Sequence, residues 1–291
     1  GAASISLMEH HASDDGYLPS PIVVAAAVAA RTTNTRIGIS ALLAPFYDPI
    51  RLAEDLAVLD NLSGGRIDIV LGSGYVEEEF TLYGVAKSER GRRMTETVKA
   101  LRGAWTGEPF EFRGRTVRVT PAPTRPGGPR LVLGGSSDAA ARRAARLGDG
   151  FVPSNPACWQ AYRDEMVKLG KDDPGEGMGA FKMVNTVLAE DPDAAWDDLA
   201  PYFLHDMNTY GSWLESNGMD GPYHTTTLDD LAATGAYRIV TPDAFAEELR
   251  PMGDFAFAMF HPMVGGIPPA QAWESLQLFD EVVVPALAPV G

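Results

Sequence analysis

Cysteine is nearly absent: Cys158 is the one thiol in 291 residues. An intramolecular disulfide is therefore impossible, and so is a cysteine-based metal cluster. A lone cysteine of this kind reads as a small buried hydrophobe before it reads as a nucleophile. Positive charge is also scarce, with 24 Lys and Arg against 39 Asp and Glu and a formal net charge of -15. Nucleic acid is excluded as a partner, because neutralising its phosphates needs a basic face. Anionic lipid is excluded on the same ground. No run of eighteen apolar residues offers a membrane span. With no cysteine to pair, a reducing cytoplasm is the expected compartment. The dinucleotide fingerprint Gly-x-Gly-x-x-Gly is missing too, since Gly72-Ser73-Gly74 is followed by Glu77 where the pattern needs glycine.

What the chain does contain suffices for a large core: 45% hydrophobic against 22% charged residues, a balance foreign to disordered chains. Its length suits one α/β barrel. Strand-like and helix-like segments alternate throughout. Ser4 to Met8 reads as the end of a strand. Pro19-Ser20-Pro21 offers an N-cap and a first-turn proline for an Ala/Val-rich helix reaching Arg31. Arg36 to Leu43 reads as a buried strand. Asp48-Pro49 caps a helix whose apolar positions Ile50, Ala53, Leu56, Ala57 and Leu59 recur near the helical period, and Gly64-Gly65 ends it.

Ile67 to Leu71 is the next strand and Ser88 to Trp105 the next helix. Between Gly107 and Gly128, FEFRGRTVRV alternates about Gly114 like a surface hairpin inserted before the following strand. That strand is Arg130 to Leu133, then comes a helix at Ser137 to Leu147 closed by Gly148. Further strands are expected at Phe151 to Pro153 and Phe181 to Leu188. Trp196 to Tyr237 reads as an aromatic-rich excursion over one end of the barrel. Pro242 to Met252 reads as a helix, Phe255 to Phe260 as the last strand and Ala270 to Leu287 as the closing helix. Such alternation implies parallel strands joined by right-handed crossovers.

In an α/β barrel the C-terminal ends of the strands build the active site. Met8-Glu9-His10-His11 sits at such an end, in a chain with only five histidines. An imidazole gives or takes a proton near neutral pH, which suits His10 to acid–base or redox work. Alternation points one of the pair inward and the other outward. Glu9 can orient one ring or pair with a cation elsewhere. Gly134-Gly135-Ser136-Ser137 leads into a helix, so backbone N–H groups, two hydroxyls and a helix dipole face one point. That set suits a phosphate, and equally a plain serine N-cap behind a tight turn. His205, Tyr210 and Trp213 lie in the excursion, as a substrate lid or as packing. His261 follows the last expected strand. A metal-dependent hydrolase needs His and carboxylate ligands at several strand ends; His10, His11 and His261 qualify without an evident carboxylate, so no metal is expected.

From Gly1 to Asn155, and again from Arg238 to Leu287, the chain resembles the luciferase-like monooxygenases, which use flavin or F420. The resemblance rests on GAASISLMEHH, DPIRLAEDLAVLDNLSGGRIDIVLGSGY, EEEF, ERGRRMTETVKALRGAW and LVLGGSSDAAARRAARLGDGF, in that order. It implies a (β/α)8 TIM barrel with insertions, one domain over residues 1–291, with a further strand and helix ahead of Gly1. It implies reduced FMN as cofactor, or F420 in its place, with His10 as the active-site base. Ser40-Ala41 matches a position where members often hold a non-prolyl cis peptide beneath the ring. Gly72, Ser73, Gly74 and Tyr75 would line the ring, and Gly134, Gly135, Ser136 and Ser137 would hold the phosphate.

Light-emitting members carry an arginine where Ser73 stands, so one cation is missing here. Arg90, opening a helix in the matching region, could compensate. The activity implied is a two-component monooxygenation: reduced FMN from a separate flavin reductase, O2, and a small organic substrate. An F420-dependent dehydrogenation or reduction is the alternative, and flavin binding without turnover a third reading that an intact His10 opposes. His11, His205, Tyr210 and His261 are the candidate substrate contacts. The helix over residues 22–30 is apolar on almost every side and needs cover beyond the barrel; the resemblance implies that it and the helix over 48–62 form the contact of a symmetric homodimer.

Overall fold

A computed structural model describes residues 2–177, 184–218 and 227–288. They fall into two compact units, Gly1–Ala180 and Phe181–Gly291. The first contains β1 (Ser4–Leu7), α1 (Pro21–Arg31), β2 (Arg36–Leu43), α2 (Pro49–Ser63), β3 (Ile67–Gly72), α3 (Glu77–Leu82) and α4 (Arg90–Ala104). The hairpin β4 (Phe110–Phe112) and β5 (Arg115–Val117) follows, then β6 (Leu131–Gly135), α5 (Asp138–Leu147), β7 (Gly150–Pro153) and α6 (Trp159–Lys168).

Five of these strands make one parallel sheet in the order β1-β2-β3-β6-β7. Ile37, Ile39, Leu42, Ile67, Ile69, Leu71, Leu131 and Leu133 are buried in it, under α2 residues Leu52, Ala53, Leu56 and Ala57. Helix α2 starts and stops as its sequence specifies. The Asp48 carboxylate accepts from the Ile50 and Arg51 amides at 3.0 and 3.1 Å, and Gly64 closes the helix at φ 65°. Arg66 then donates to the carbonyls of Ala29, Thr32 and Thr35. It thereby satisfies the open C-terminal end of α1 and ties that end to β3. Arg113 and Gly114, both at positive φ, form the two-residue turn between β4 and β5.

Register decides what the sheet presents. Leu7 pairs with Ile39, Ser40 with Val70 and Leu71 with Leu133. The C-terminal ends of β1, β2, β3 and β6 therefore finish along one edge. Between Ser40 and Leu42 the register slips, leaving Ala41 as the extra residue of a bulge. The Ser40–Ala41 peptide is cis.

The second unit holds β8 (Asn185–Leu188), α7 (Pro192–Glu215), α8 (Leu228–Thr234), β9 (Tyr237–Val240), α9 (Pro242–Leu249) and α10 (Pro269–Leu278), with β8 and β9 parallel. Its core is its own: Phe203, Ala200, Leu231 and Val264 are fully buried, and Phe203 stacks on Tyr237 at 4.9 Å.

Several expectations need correction. Trp196 to Tyr237 is not an excursion, because most of its aromatic first half is α7. Trp196, Leu199, Ala200, Phe203 and Met207 recur at helical spacing and fill the core of the second unit; residues 219–226 lie outside the described residues. Phe255 to Phe260 is not a strand, since no neighbouring strand among the described residues supplies it with a ladder. Alternation specifies a face but not a partner. The strand expected from Phe181 begins at Asn185, and 181–183 are outside the described residues. Helices α3 and α6 were not anticipated. Ser20 makes no capping bond with its side chain; its carbonyl takes the Val23 and Val24 amides instead. No described helix is long and apolar enough to cross a membrane.

Candidate functional site

Helix α3 is six residues long and opens with Glu77, Glu78 and Glu79, which favour the positive end of its dipole. The first two face solvent, but Glu79 is completely buried beside Phe80. Its Oε1 lies 2.8 Å from Nδ1 of His10 and accepts the backbone N–H of His11 at 3.0 Å. With Glu79 as a carboxylate, Nδ1 of His10 carries the proton and Nε2 is left as the basic nitrogen. Oε2 of Glu79 is buried and has no hydrogen-bond partner among the described residues. Tyr17 and Tyr75 meet the His10 ring edge-on, with centroids at 5.0 and 5.9 Å.

His11 is held quite differently. Its Nε2 is 3.0 Å from Oε1 of Glu9, and its Nδ1 is 3.1 Å from the Tyr83 hydroxyl. Glu9 also takes the Tyr47 hydroxyl at 2.7 Å and, through Oε2, the Leu43 amide at 2.7 Å. Burial, then the charge of Glu9, pushes the Tyr47 hydroxyl well above its ordinary range. Burial and the charges of Glu9 and Glu79 push Tyr83 the same way. Both phenols are therefore donors. Tyr83 donates to Nδ1 of His11, whose Nε2–H donates to Glu9. Both histidines are buried, so burial does not separate an inward ring from an outward one. Strand β1 ends at Leu7, so its alternation no longer governs residues 10 and 11.

Along the same edge, β2 brings Ser40 and Ala41, and β3 brings Gly72, Ser73, Gly74 and Tyr75, all partly exposed. A Cβ on Gly72 would come within 2.8 Å of the Ala41 Cβ, so the bulge requires glycine across from it. At the end of β6, a Cβ on Gly135 would lie 2.4 Å from the Ala140 Cβ. Ser137 caps α5, its hydroxyl accepting the Ala140 amide at 3.3 Å. Ser136 and Ser137 are exposed at the head of that helix, and Arg90 opens α4.

The sheet thus brings together His10, Ser40, Ala41, Gly72 to Tyr75 and Gly134 to Ser137. His205, Tyr210 and His261 belong to the second unit. His205 lies on α7 with the Thr209 hydroxyl 3.5 Å from its Nε2, and Tyr210 packs edge-on against Trp213. His261 ends no strand; burial pushes its imidazole below the usual range, while the neighbouring Asp206 opposes this. Glu79, Tyr47 and Tyr83 escaped the sequence reading. The signal for Glu79 was its place beside an apolar Phe80 in a run of three acids.

Known proteins bear on this arrangement. The family model described as Luciferase-like monooxygenase matches residues 1–254. An FMNH(2)-dependent dimethylsulfone monooxygenase from Pseudomonas putida is 33% identical over 234 residues, covering 72% of this chain and 62% of that protein. An F420-dependent glucose-6-phosphate dehydrogenase from Nakamurella multipartita is 26% identical over 292 residues, covering 94% and 84%. The chain matches only about half the length, 46%, of uncharacterised mycobacterial relatives to which it is 37% identical. The crystal structure of monooxygenase RslO1 from Streptomyces bottropensis superposes with a TM-score of 0.69 at 26% identity, over 98% of this chain and 88% of that one. These likenesses assign the luciferase-like TIM-barrel fold, and the chain belongs to the luciferase-like monooxygenase family.

Proposed function

We propose that this protein is a flavin-dependent oxidoreductase, a two-component monooxygenase that takes reduced FMN from a separate reductase and oxidises a small organic substrate with O2. The observation that carries the reading is the His10–Glu79 pair at one end of an edge whose other end is the Gly134 to Ser137 turn. From β1 to β6 that edge is three strand spacings wide, roughly 14 Å. Gly72 and Gly135 leave room for the Ala41 and Ala140 methyls, so the ends of β2, β3 and β6 and the head of α5 pack closely along that edge, with the backbone and hydroxyls of Gly134 to Ser137 at its end. The residues fit reduced FMN.

When bound, the reduced flavin would supply the electrons that activate O2. His10 would hold or move a proton at the ring through Nε2, and Glu79 fixes its tautomer. Tyr17 and Tyr75 keep water from the imidazole. Gly134, Gly135, Ser136, Ser137 and Arg90 would hold the phosphate with backbone amides, hydroxyls and one guanidinium. His11, locked between Glu9 and Tyr83, holds the end of β1 against β2. Titration with FMN and then F420, followed in the visible spectrum, tests the cofactor. His10→Ala should leave FMN affinity within a few-fold and lower turnover by roughly 10² to 10⁴; wild-type turnover in that variant places the base elsewhere. Changing Ser136 and Ser137 together to Ala should weaken FMN and spare riboflavin.

The F420-dependent reading is favoured by one observation, the 84% coverage of the Nakamurella dehydrogenase. On either reading, residues 1–291 act as one luciferase-like domain in the cytoplasm. A symmetric homodimer would cover Val23 on α1 and Val58 and Leu62 on α2, which are 69%, 51% and 50% exposed. Light scattering at micromolar concentration should give twice the mass of 31.2 kDa; a monomer refutes the dimer.

A further inference from the structure

Helices α4 and α5 both connect parallel strands of one sheet, so they run in the same direction. Thr95 on α4 meets Arg143 on α5, the arginine Nε donating to Oγ1 at 3.2 Å. Each residue stands five positions beyond its helix start, Arg90 and Asp138, a rise of roughly 7.5 Å. The two N-termini therefore open side by side, with Arg90 heading one and Ser137 capping the other.

Arg143 reaches back toward those openings. Its Nη2 occupies the space left by a missing side chain, since a Cβ on Gly91 would lie 2.6 Å away. Thr95 in turn donates to the Gly91 carbonyl at 3.0 Å, so the guanidinium is pinned against the first turn of α4. Other arginines of these helices have carboxylates: Arg92 and Arg93 pair with Glu89, Arg142 with Asp138 and Arg146 with Glu165. Among the described residues, neither Arg90 nor Arg143 has a carboxylate partner. Burial and the charge of Arg90 both push the Arg143 guanidinium below its ordinary range. Two like charges brought together at a pair of helix N-termini are mutually repulsive until an anion joins them.

We propose that Arg143 is a second cation of the phosphate pocket, supplying the charge that Ser73 lacks and selecting a phosphate monoester over a diester. The proposal rests on the flavin reading above and deepens it. A terminal phosphate monoester, as in FMN, carries close to two negative charges at neutral pH. The internal diester of F420 carries one. A pocket with two guanidiniums stabilises the dianion more strongly than the monoanion.

The full chain and its Arg143→Gln and Thr95→Val variants are titrated with FMN, riboflavin and F420, with affinity read from flavin fluorescence or absorbance. Arg143→Gln should weaken FMN by about ten- to a hundred-fold, the worth of a charge-assisted hydrogen bond. Riboflavin should stay within two-fold, which also shows that the variant is folded. F420 should change by no more than a few-fold. Thr95→Val, which keeps the charge but removes its anchor, should fall between wild type and Arg143→Gln. Unchanged FMN affinity, or equal loss of FMN and riboflavin, overturns the role of Arg143. Equal loss of FMN and F420 overturns the selectivity. Wild-type protein that binds neither FMN nor riboflavin refutes the flavin reading itself, and the proposal with it.

Discussion

Replacing Glu79 by glutamine keeps the volume of the side chain and removes its charge. Two donors, Nδ1–H of His10 and the His11 amide, converge on Oε1 at 2.8 and 3.0 Å. The glutamine carbonyl must therefore take that position. The amide nitrogen then falls where Oε2 stands, buried and without a partner among the described residues. One orphaned atom thus replaces another. The net loss is that the two bonds to Oε1 no longer have a charged acceptor, about 1 to 3 kcal/mol, which in a chain of this size lowers the melting temperature by roughly 2 to 10 °C.

The His10 tautomer survives the change, but the imidazolium loses its counter-charge. A charge-assisted hydrogen bond is worth about 1.5 to 3 kcal/mol, so turnover should fall by roughly ten- to a hundred-fold. FMN affinity should stay within a few-fold, because Glu79 is fully buried and points at the histidines. Three measurements check this together: calorimetric melting, FMN titration, and 15N chemical shifts of His10, which should keep Nδ1 protonated. A Glu79→Gln protein with wild-type turnover and melting temperature would refute the reasoning. Loss of turnover that merely parallels loss of FMN binding would reduce Glu79 to a packing residue.

Gly72→Ala should cost about 1 to 3 kcal/mol, because the new methyl meets the Ala41 Cβ at 2.8 Å; Ala41→Gly in the same chain should recover most of it, as read by denaturant melts. His261 tests linkage in the second unit. Burial holds its folded pKa below the unfolded value of about 6.5, so the unfolded chain binds the extra proton and stability drains away as pH falls below that value. His261→Gln should therefore lose less melting temperature than wild type between pH 8 and pH 5.5; identical losses would remove His261 from the account.

Local physics reads well from this chain wherever the signal is short in range. Asp48, Pro49 and Gly64 mark α2 because capping involves neighbours a few residues apart. The Gly114 hairpin and the Ser137 cap are legible for the same reason. The order of motifs placed His10, Ser40 and Ala41, Gly72 to Tyr75 and Gly134 to Ser137 at strand ends. Parallel register then gathered them on one edge. Contacts between residues far apart were not legible. Glu79 looks like one of three solvated acids in the sequence, and only the packing of α3 against the end of β1 buries it 69 positions from His10. Arg143 looks like any surface arginine of an amphipathic helix until Gly91 and Thr95 appear beneath it. Phe255 to Phe260 carries the alternation of a strand and forms none. Periodicity is a property of the segment itself, whereas a ladder, a buried charge or a paired guanidinium needs a partner that only the folded chain supplies.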